Sequence, residues 1–360
     1  MIELSVVGAG WRAEFFLRIA QALPSLFAVR SVVARSEARA ERLRAVYGVR
    51  VVDGVDALFR DGAGDAAVVV LPAAAAPEVT TALVKAGTPV LTETPPAPDV
   101  AAMHELWAVL GGDAPVRVAE QYRLQPHHAA RLALAGSGVI GPVGYARVSV
   151  AHGYHATSLL RLALDAGMES PLVRAVTHLD PAARVHGRDD WHAEVVVRPG
   201  VNTIATLDFG DRMGVYEFTG EQYLSPIRGR HLTIRGERGE IADDAVAYVR
   251  GPRDVVRTRI VRDDTGLDGD LAGHHLRGLD CDGRRAWTNP FGTARLSDDE
   301  LAGAGVLAEL AEFVRTGGDG GGCGYGLAEA AQDQYLAALI DEAAASGEAV
   351  RAEPQPWAKR

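Results

Sequence analysis

Ile2-Glu3-Leu4-Ser5-Val6-Val7-Gly8-Ala9-Gly10-Trp11-Arg12-Ala13 opens the chain, and its reading decides the fold. The first six of these residues are a strand-forming apolar run, and apolar periodicity over residues 15–22 predicts a helix behind them. The glycines sit between the two. Gly8 permits a tight turn, Gly10 removes the side chain that would block a pyrophosphate, and Ala13 is small enough to let the helix lie close on the sheet. The amides of Trp11 and Arg12 would then open the helix facing an anion. A plain glycine turn of any α/β domain has the same string, but its place at the first strand-helix junction of a βαβ pattern makes it a candidate dinucleotide clamp.

Working outward, apolar runs at residues 28–34, 49–52, 66–71, 89–92 and 116–119 read as strands, with helices between them at 37–46, 77–86 and 99–110. Strands alternating with helices imply a parallel sheet covered on both faces, whose ligands lie at the carboxyl ends of its strands. That edge carries Gly8, Arg35, Leu71, Pro72, Glu93 and Gln121. After residue 120 the pattern changes. Helices at 126–135 and 155–164 flank a strand at 143–150, and strands follow at 172–178, 191–197, 202–209, 215–219, 232–236 and 240–242. Residues 263–293, rich in Gly and Asp with Trp287 and Phe291, read as a long loop or excursion. Helices return at 298–315 and 327–345 on either side of a Gly-rich stretch at 317–326. The expected fold is α/β: a Rossmann dinucleotide-binding domain over residues 1–120, then an α+β substrate-binding and oligomerisation domain over 121–360. The second domain is built on a large, mostly antiparallel open sheet.

With 48% hydrophobic residues the 360-residue chain has ample material for two cores. A net charge of −10 without a basic block argues against nucleic acid. No apolar run approaches a membrane span, and the strand at the N-terminus leaves no room for a cleavable leader, so a cytoplasmic protein is expected. Cys281 and Cys323 have neither disulfide-framework nor zinc spacing, and no metal is expected. The only lysines are Lys85 and Lys359.

Several short motifs, in order along the chain, resemble those of the Gfo/Idh/MocA oxidoreductases. They are the opening glycine turn, Val70-Leu71-Pro72, Ala86-Gly87-Thr88-Pro89-Val90 leading to Glu93-Thr94-Pro95, Arg123-Leu124-Gln125-Pro126, Gly138-Val139-Ile140-Gly141, His155-Ala156-Thr157-Ser158-Leu159-Leu160-Arg161, and Leu232 to Gly236 with Gly239. The resemblance implies an NAD(P)-dependent oxidoreductase that transfers a hydride between nicotinamide and a secondary alcohol or ketone of a sugar, cyclitol or related polyol. It places Trp11, Leu71, Pro72, Glu93, Thr94 and Gln121 with the glycine turn at the cofactor, and puts the nicotinamide at an interdomain cleft.

Two positions depart from the family pattern. The lysine of its Glu-Lys-Pro is Thr94 here, and the aspartate four residues before its active-site histidine is Ala151. Neither Lys85 nor Lys359 can stand in. What remains is His152-Gly153-Tyr154-His155, in which an imidazole can exchange the hydroxyl proton. His155 is the first candidate, with Tyr154 and His152 as relays. Arg123 and Arg161 can clamp substrate or form interdomain salt bridges. At the end of the second strand Ala34-Arg35-Ser36 offers no carboxylate to repel a 2′-phosphate, so the cofactor is NADP or NAD, with Arg35 and Ser36 favouring NADP. Thr94 and Ala151 also support a rival reading as a dinucleotide-binding sensor or assembly subunit with little turnover. A redox-assisted lyase is a further variant. An open sheet needs a cover, and a homodimer or homotetramer is expected to provide it.

Overall fold

The computed structural model describes residues 1–187, 190–317 and 324–358. Cys323, Lys359 and most of the Gly-rich stretch lie outside the described residues. The first half holds a six-stranded parallel sheet. Its order is Val51–Val52, Phe27–Val33, Ile2–Val7, Ala66–Val69, Val90–Thr92 and Val116–Val118. Ile2–Val7 lies at the centre, pairing in parallel with Phe27–Val33 on one side and Ala66–Val69 on the other. The order reverses at that strand, so the crevice for a ligand opens beside Gly8. All four residues of Ala66–Val69 are buried, as expected of a strand covered on both faces.

The helix Trp11–Ala22 begins four residues earlier than the periodicity predicted, because Gly10 itself is the N-cap. Its buried face, Ala13, Phe16, Leu17 and Ala20 with Phe15 and Ile19, meets the sheet and also the late helix Asp298–Thr316. That late helix starts with a capping box, Ser297 accepting from the Glu300 amide while Glu300 accepts from the Ser297 amide. Leu301, Ala304, Leu307 and Leu310 extend the first core, so the chain returns from its second half to cover the Rossmann layer.

The second half is built on a nine-stranded sheet. In order its strands are Asp254–Arg259, Ala245–Gly251, Gly239–Ala242, His231–Gly236, Val143–Ser149, Met213–Thr219, Val201–Asp208, Leu172–Leu179 and Val350–Arg351. All neighbours are antiparallel except Val143–Ser149 and Met213–Thr219, which run parallel. Helices Gly153–Leu164 and Leu327–Ser346 pack on one another beside this sheet.

Two expectations are corrected. Residues 263–293 are not one long loop: Val261–Asp264, Leu276–Cys281 and Arg284–Thr288 form a separate three-stranded antiparallel sheet. Alternation of buried and exposed positions in Leu276–Cys281 was masked by its Gly, Asp and Arg content. Trp191–Arg198 also leaves the main sheet, pairing only with Ala182–His186 in a two-stranded ribbon.

Candidate functional site

The carboxyl edge of the parallel sheet faces the start of helix Gly153–Leu164 across a cleft of about 720 Å³, a size suited to a small molecule. The first wall begins at the glycine turn. Gly8 sits at φ +127°, and a Cβ there would lie 2.5 Å from the Val70 carbonyl oxygen, so only glycine fits. A Cβ on Gly10 would meet nothing within 4 Å, and no side chain caps the helix it begins. Open space at a helix N-terminus that no side chain caps is what a pyrophosphate needs, so the turn fits a dinucleotide. Arg12 contributes more than an amide. Its Nε donates to Glu93 Oε1 at 2.6 Å and its Nη2 to Gln121 Oε1 at 2.7 Å, and its guanidinium stands 4.4 Å from the Phe15 ring centroid. The ends of the fifth and sixth strands are thereby tied to the first helix.

The second wall follows from Val143–Ser149, which delivers the chain to His152, the N-cap of the helix Gly153–Leu164. The His152, Tyr154 and His155 rings cluster, with centroids 4.4–5.2 Å apart. His152 Nδ1 lies 2.8 Å from the Tyr223 hydroxyl. Desolvation, with the neighbouring His155 imidazole, pushes His152 down to about 4, so it is neutral near pH 7. Tyr154 is hydrogen-bonded to Thr94, and burial pushes its phenol well up. Thr94 thus holds the tyrosine at the position where a lysine was missing.

His155 has a partner that sequence reading missed. Its Nδ1 is 2.5 Å from Oε2 of Glu120, a carboxylate only 1% exposed. The other oxygen, Oε1, accepts from the Tyr122 amide at 3.0 Å. A carboxylate can only accept, so the proton of this contact is donated from His155 Nδ1. The Tyr122 ring covers the imidazole at 4.7 Å. Glu120 ends the run Val116-Arg117-Val118-Ala119, and its place at the close of a predicted strand on the ligand edge was the one signal available.

Of the expected site residues, Trp11, Arg12, Glu93, Thr94, Gln121, His152, Tyr154 and His155 come together in the cleft lining. Ala13 is buried under the helix, and Arg35, Ser36 and Pro72 are exposed, with Leu71 half-buried, farther along the same edge. Arg123 and Arg161 are not in the lining. Arg123 pairs with Glu309 on the late helix. Arg161 is sealed against Asp333, at 3.0 Å with 8% and 1% side-chain exposure, so the structure makes it a helix-to-helix pair instead of a substrate clamp. His127 and His128 lie in a smaller neighbouring pocket, and His275 is buried against Thr265. Among the described residues no three His, Cys, Asp or Glu side chains converge to hold a metal ion. No described helix is long and apolar enough to cross a membrane.

Residues 2–114 match the model of the Gfo/Idh/MocA oxidoreductase family, NAD-binding Rossmann fold. No curated protein matches the chain. Among solved structures, an oxidoreductase from Agrobacterium radiobacter in complex with NAD+, L-tartaric acid and magnesium superposes with a TM-score of 0.69 at 15% identity, covering 97% of this chain and 98% of that one. Levoglucosan dehydrogenase in complex with NADH gives 0.69 at 15% identity, with 98% and 100% covered. A myo-inositol dehydrogenase from Corynebacterium glutamicum gives 0.65 at 17% identity, with 99% and 100% covered. At these identities the similarity is one of fold, and it spans both domains. The glycine turn, the sheet order and the family match together give residues 2–114 the NAD-binding Rossmann fold of the Gfo/Idh/MocA oxidoreductase family.

Proposed function

We propose that the chain is an NAD(P)-dependent dehydrogenase or reductase acting on a secondary alcohol or ketone of a sugar, cyclitol or related polyol. The observation that carries this reading is the buried Glu120 carboxylate holding His155 by Nδ1 in a cleft that begins at the glycine turn. Bound NAD(P) supplies the two-electron acceptor or donor. The chain's own residues do the rest. His155 takes the hydroxyl proton at Nε2, and Glu120 fixes the tautomer and stabilises the imidazolium that forms. Tyr154, kept protonated and bonded to Thr94, is a donor that orients the oxygen of the substrate. His152, neutral and bonded to Tyr223, positions these groups without competing for the proton.

The fit to NADP rests on the second strand's end, where Arg35 and Ser36 are exposed and the nearest acid, Glu37, is tied to Arg44 at 2.7 Å. A homodimer or homotetramer through the open sheet fits the exposure of Val176, Leu179 and Val201 on its strands, and light scattering tests it. The rival sensor reading loses its main support once Glu120 supplies the carboxylate that Ala151 lacks.

The test is turnover of a polyol and sugar panel with NAD or NADP, read by cofactor absorbance, for wild type and His155→Asn. A base of this kind contributes about 10²- to 10⁴-fold, so His155→Asn loses that much kcat and keeps its dinucleotide affinity. Tight dinucleotide binding with no turnover of any polyol would return the chain to the sensor reading.

A further inference from the structure

Three arginines line the cleft, and two of them are already neutralised. Arg12 pairs with Glu93 at 2.6 Å and Arg18 with Glu300 at 3.0 Å. Arg230 is different. Among the described residues it has no carboxylate within ion-pair distance, although its loop neighbour Arg228 is paired with Asp180 at 2.7 Å. Its guanidinium stands 5.6 Å from the Tyr223 ring centroid, on the wall that carries His152.

The backbone that presents Arg230 is fixed. Gln222, buried, donates from Nε2 to the Ser149 carbonyl at 2.9 Å and to the carbonyl of Gly229, the residue before Arg230. Ser149 ends the strand that delivers His152, and Arg230 immediately precedes the strand His231–Gly236 that pairs with it. The cation is therefore held in register with the imidazole cluster by a buried amide and two neighbouring strands. A positive charge so placed, and left without a protein counter-ion, is a site for a charge on the ligand.

Resting on the dehydrogenase reading above, we infer that the substrate is a sugar acid, a polyhydroxylated monocarboxylate whose carboxylate is bound by Arg230 while its carbinol faces His155. A monoanion fits better than a phosphate. One guanidinium matches one carboxylate in bidentate geometry, whereas a dianion would meet the charges of Asp299 and Glu120 with a single cation to offset them.

The experiment compares steady-state kinetics of the full-length protein on D-glucuronate and D-galactonate against D-glucose, myo-inositol and D-glucose 6-phosphate, for wild type, Arg230→Gln and Arg230→Lys. Arg230 is exposed, so neither substitution disturbs a core. A carboxylate is expected to be preferred by about 10- to 100-fold in kcat/KM, the range of a charge-assisted bond. Arg230→Gln removes that preference through KM with kcat largely kept, Arg230→Lys restores part of it, and added salt weakens it in wild type and Arg230→Lys but not in Arg230→Gln. Neutral or phosphorylated sugars turned over as well as the carboxylates, or an unchanged KM in Arg230→Gln, would overturn the inference and leave the dehydrogenase reading standing. If nothing is turned over, calorimetry of glucuronate on the NAD-loaded protein decides: binding that Arg230→Gln abolishes supports the inference while the dehydrogenase reading fails, and no binding overturns it.

Discussion

One helix, Gly153–Leu164, carries two charge pairs with buried carboxylates, and the contrast between them separates a pair at the cleft from one sealed between helices. At its first turn His155 meets Glu120, which comes from the end of the Rossmann sheet, and the imidazole lines the cleft. Two turns later Arg161 meets Asp333 on the helix Leu327–Ser346, with the Tyr325 hydroxyl on the same carboxylate and Arg161 Nε on the Gly167 carbonyl at 2.8 Å. Both carboxylates are 1% exposed. The first pair leaves an imidazole in the cleft lining, whereas the second spends its groups within the protein. A motif that joins the two residues in one string therefore joins two unlike jobs.

The contrast predicts opposite outcomes for removing each carboxylate. Glu120→Gln should lower kcat by about 10²- to 10⁴-fold, because the amide can donate to Nδ1 and so force the proton onto Nε2, where the base is needed. Dinucleotide affinity should hold, since Glu120 is not part of the glycine turn. A Glu120→Gln protein with wild-type kcat would remove the carboxylate from the mechanism.

Asp333→Ala should do the reverse. It strands the Arg161 guanidinium among buried atoms, and breaking a buried pair on one side costs about 3–5 kcal/mol. The expected result is a large drop in denaturant midpoint with kcat per folded molecule nearly kept. Burial pushes the Asp333 carboxyl up to about 6 against the pull of Arg161, which marks the pair as costly to keep and more costly to break. Equal loss of kcat and stability would mean that the two pairs do not divide the work as described.

Smaller still is the effect expected of Arg35→Ala at the far end of the cofactor edge. An exposed charge-assisted contact to a 2′-phosphate is worth roughly tenfold, so NADP affinity should fall by that factor and NAD affinity should stay. Fluorescence titration with both cofactors checks it, and equal changes would leave Arg35 without a role in cofactor choice.

How far the site was legible follows the same division. The glycine turn could be read because its requirements are local: Gly8, Gly10 and Ala13 lie within six residues and each answers a steric need. The place of His155 in the cleft lining was legible from its motif. Glu120 was not, because its partner is 35 residues away and a lone acid between Ala119 and Gln121 has no periodicity to betray it. Tyr223 reaches His152 across 71 residues and was missed for the same reason. Arg161 stayed open between a clamp and a salt bridge because the motif carries no information about Asp333, 172 positions later by the residue numbers. The parallel sheet was legible since buried Val and Ala runs leave few alternatives, whereas the sheet over residues 261–288 hid its pattern behind exposed arginines and aspartates.

A buried histidine outside the cleft lining sharpens the comparison from the other side. His128 is 1% exposed, like the two carboxylates, yet no carboxylate is hydrogen-bonded to it among the described residues. Arg131 donates to its Nδ1 at 3.3 Å, and Nε2 is buried without a partner. Desolvation first, then the charges of His127 and Arg131, hold its pKa well below the ordinary value of 6.5. A base with a depressed folded pKa stays neutral in the native state while the unfolded chain takes up a proton, so stability is complete above about pH 6.5 and is lost as the pH falls. Per group the slope is at most about 1.4 kcal/mol per pH unit. His128→Asn keeps an acceptor for Arg131 and cannot titrate. Urea midpoints from pH 7 down to pH 5 should therefore fall less steeply in His128→Asn than in wild type, by the weight of about one proton, whatever the substitution costs at pH 7. Parallel curves would show that His128 does not resist its proton, and that burial without a carboxylate is no different here from burial with one.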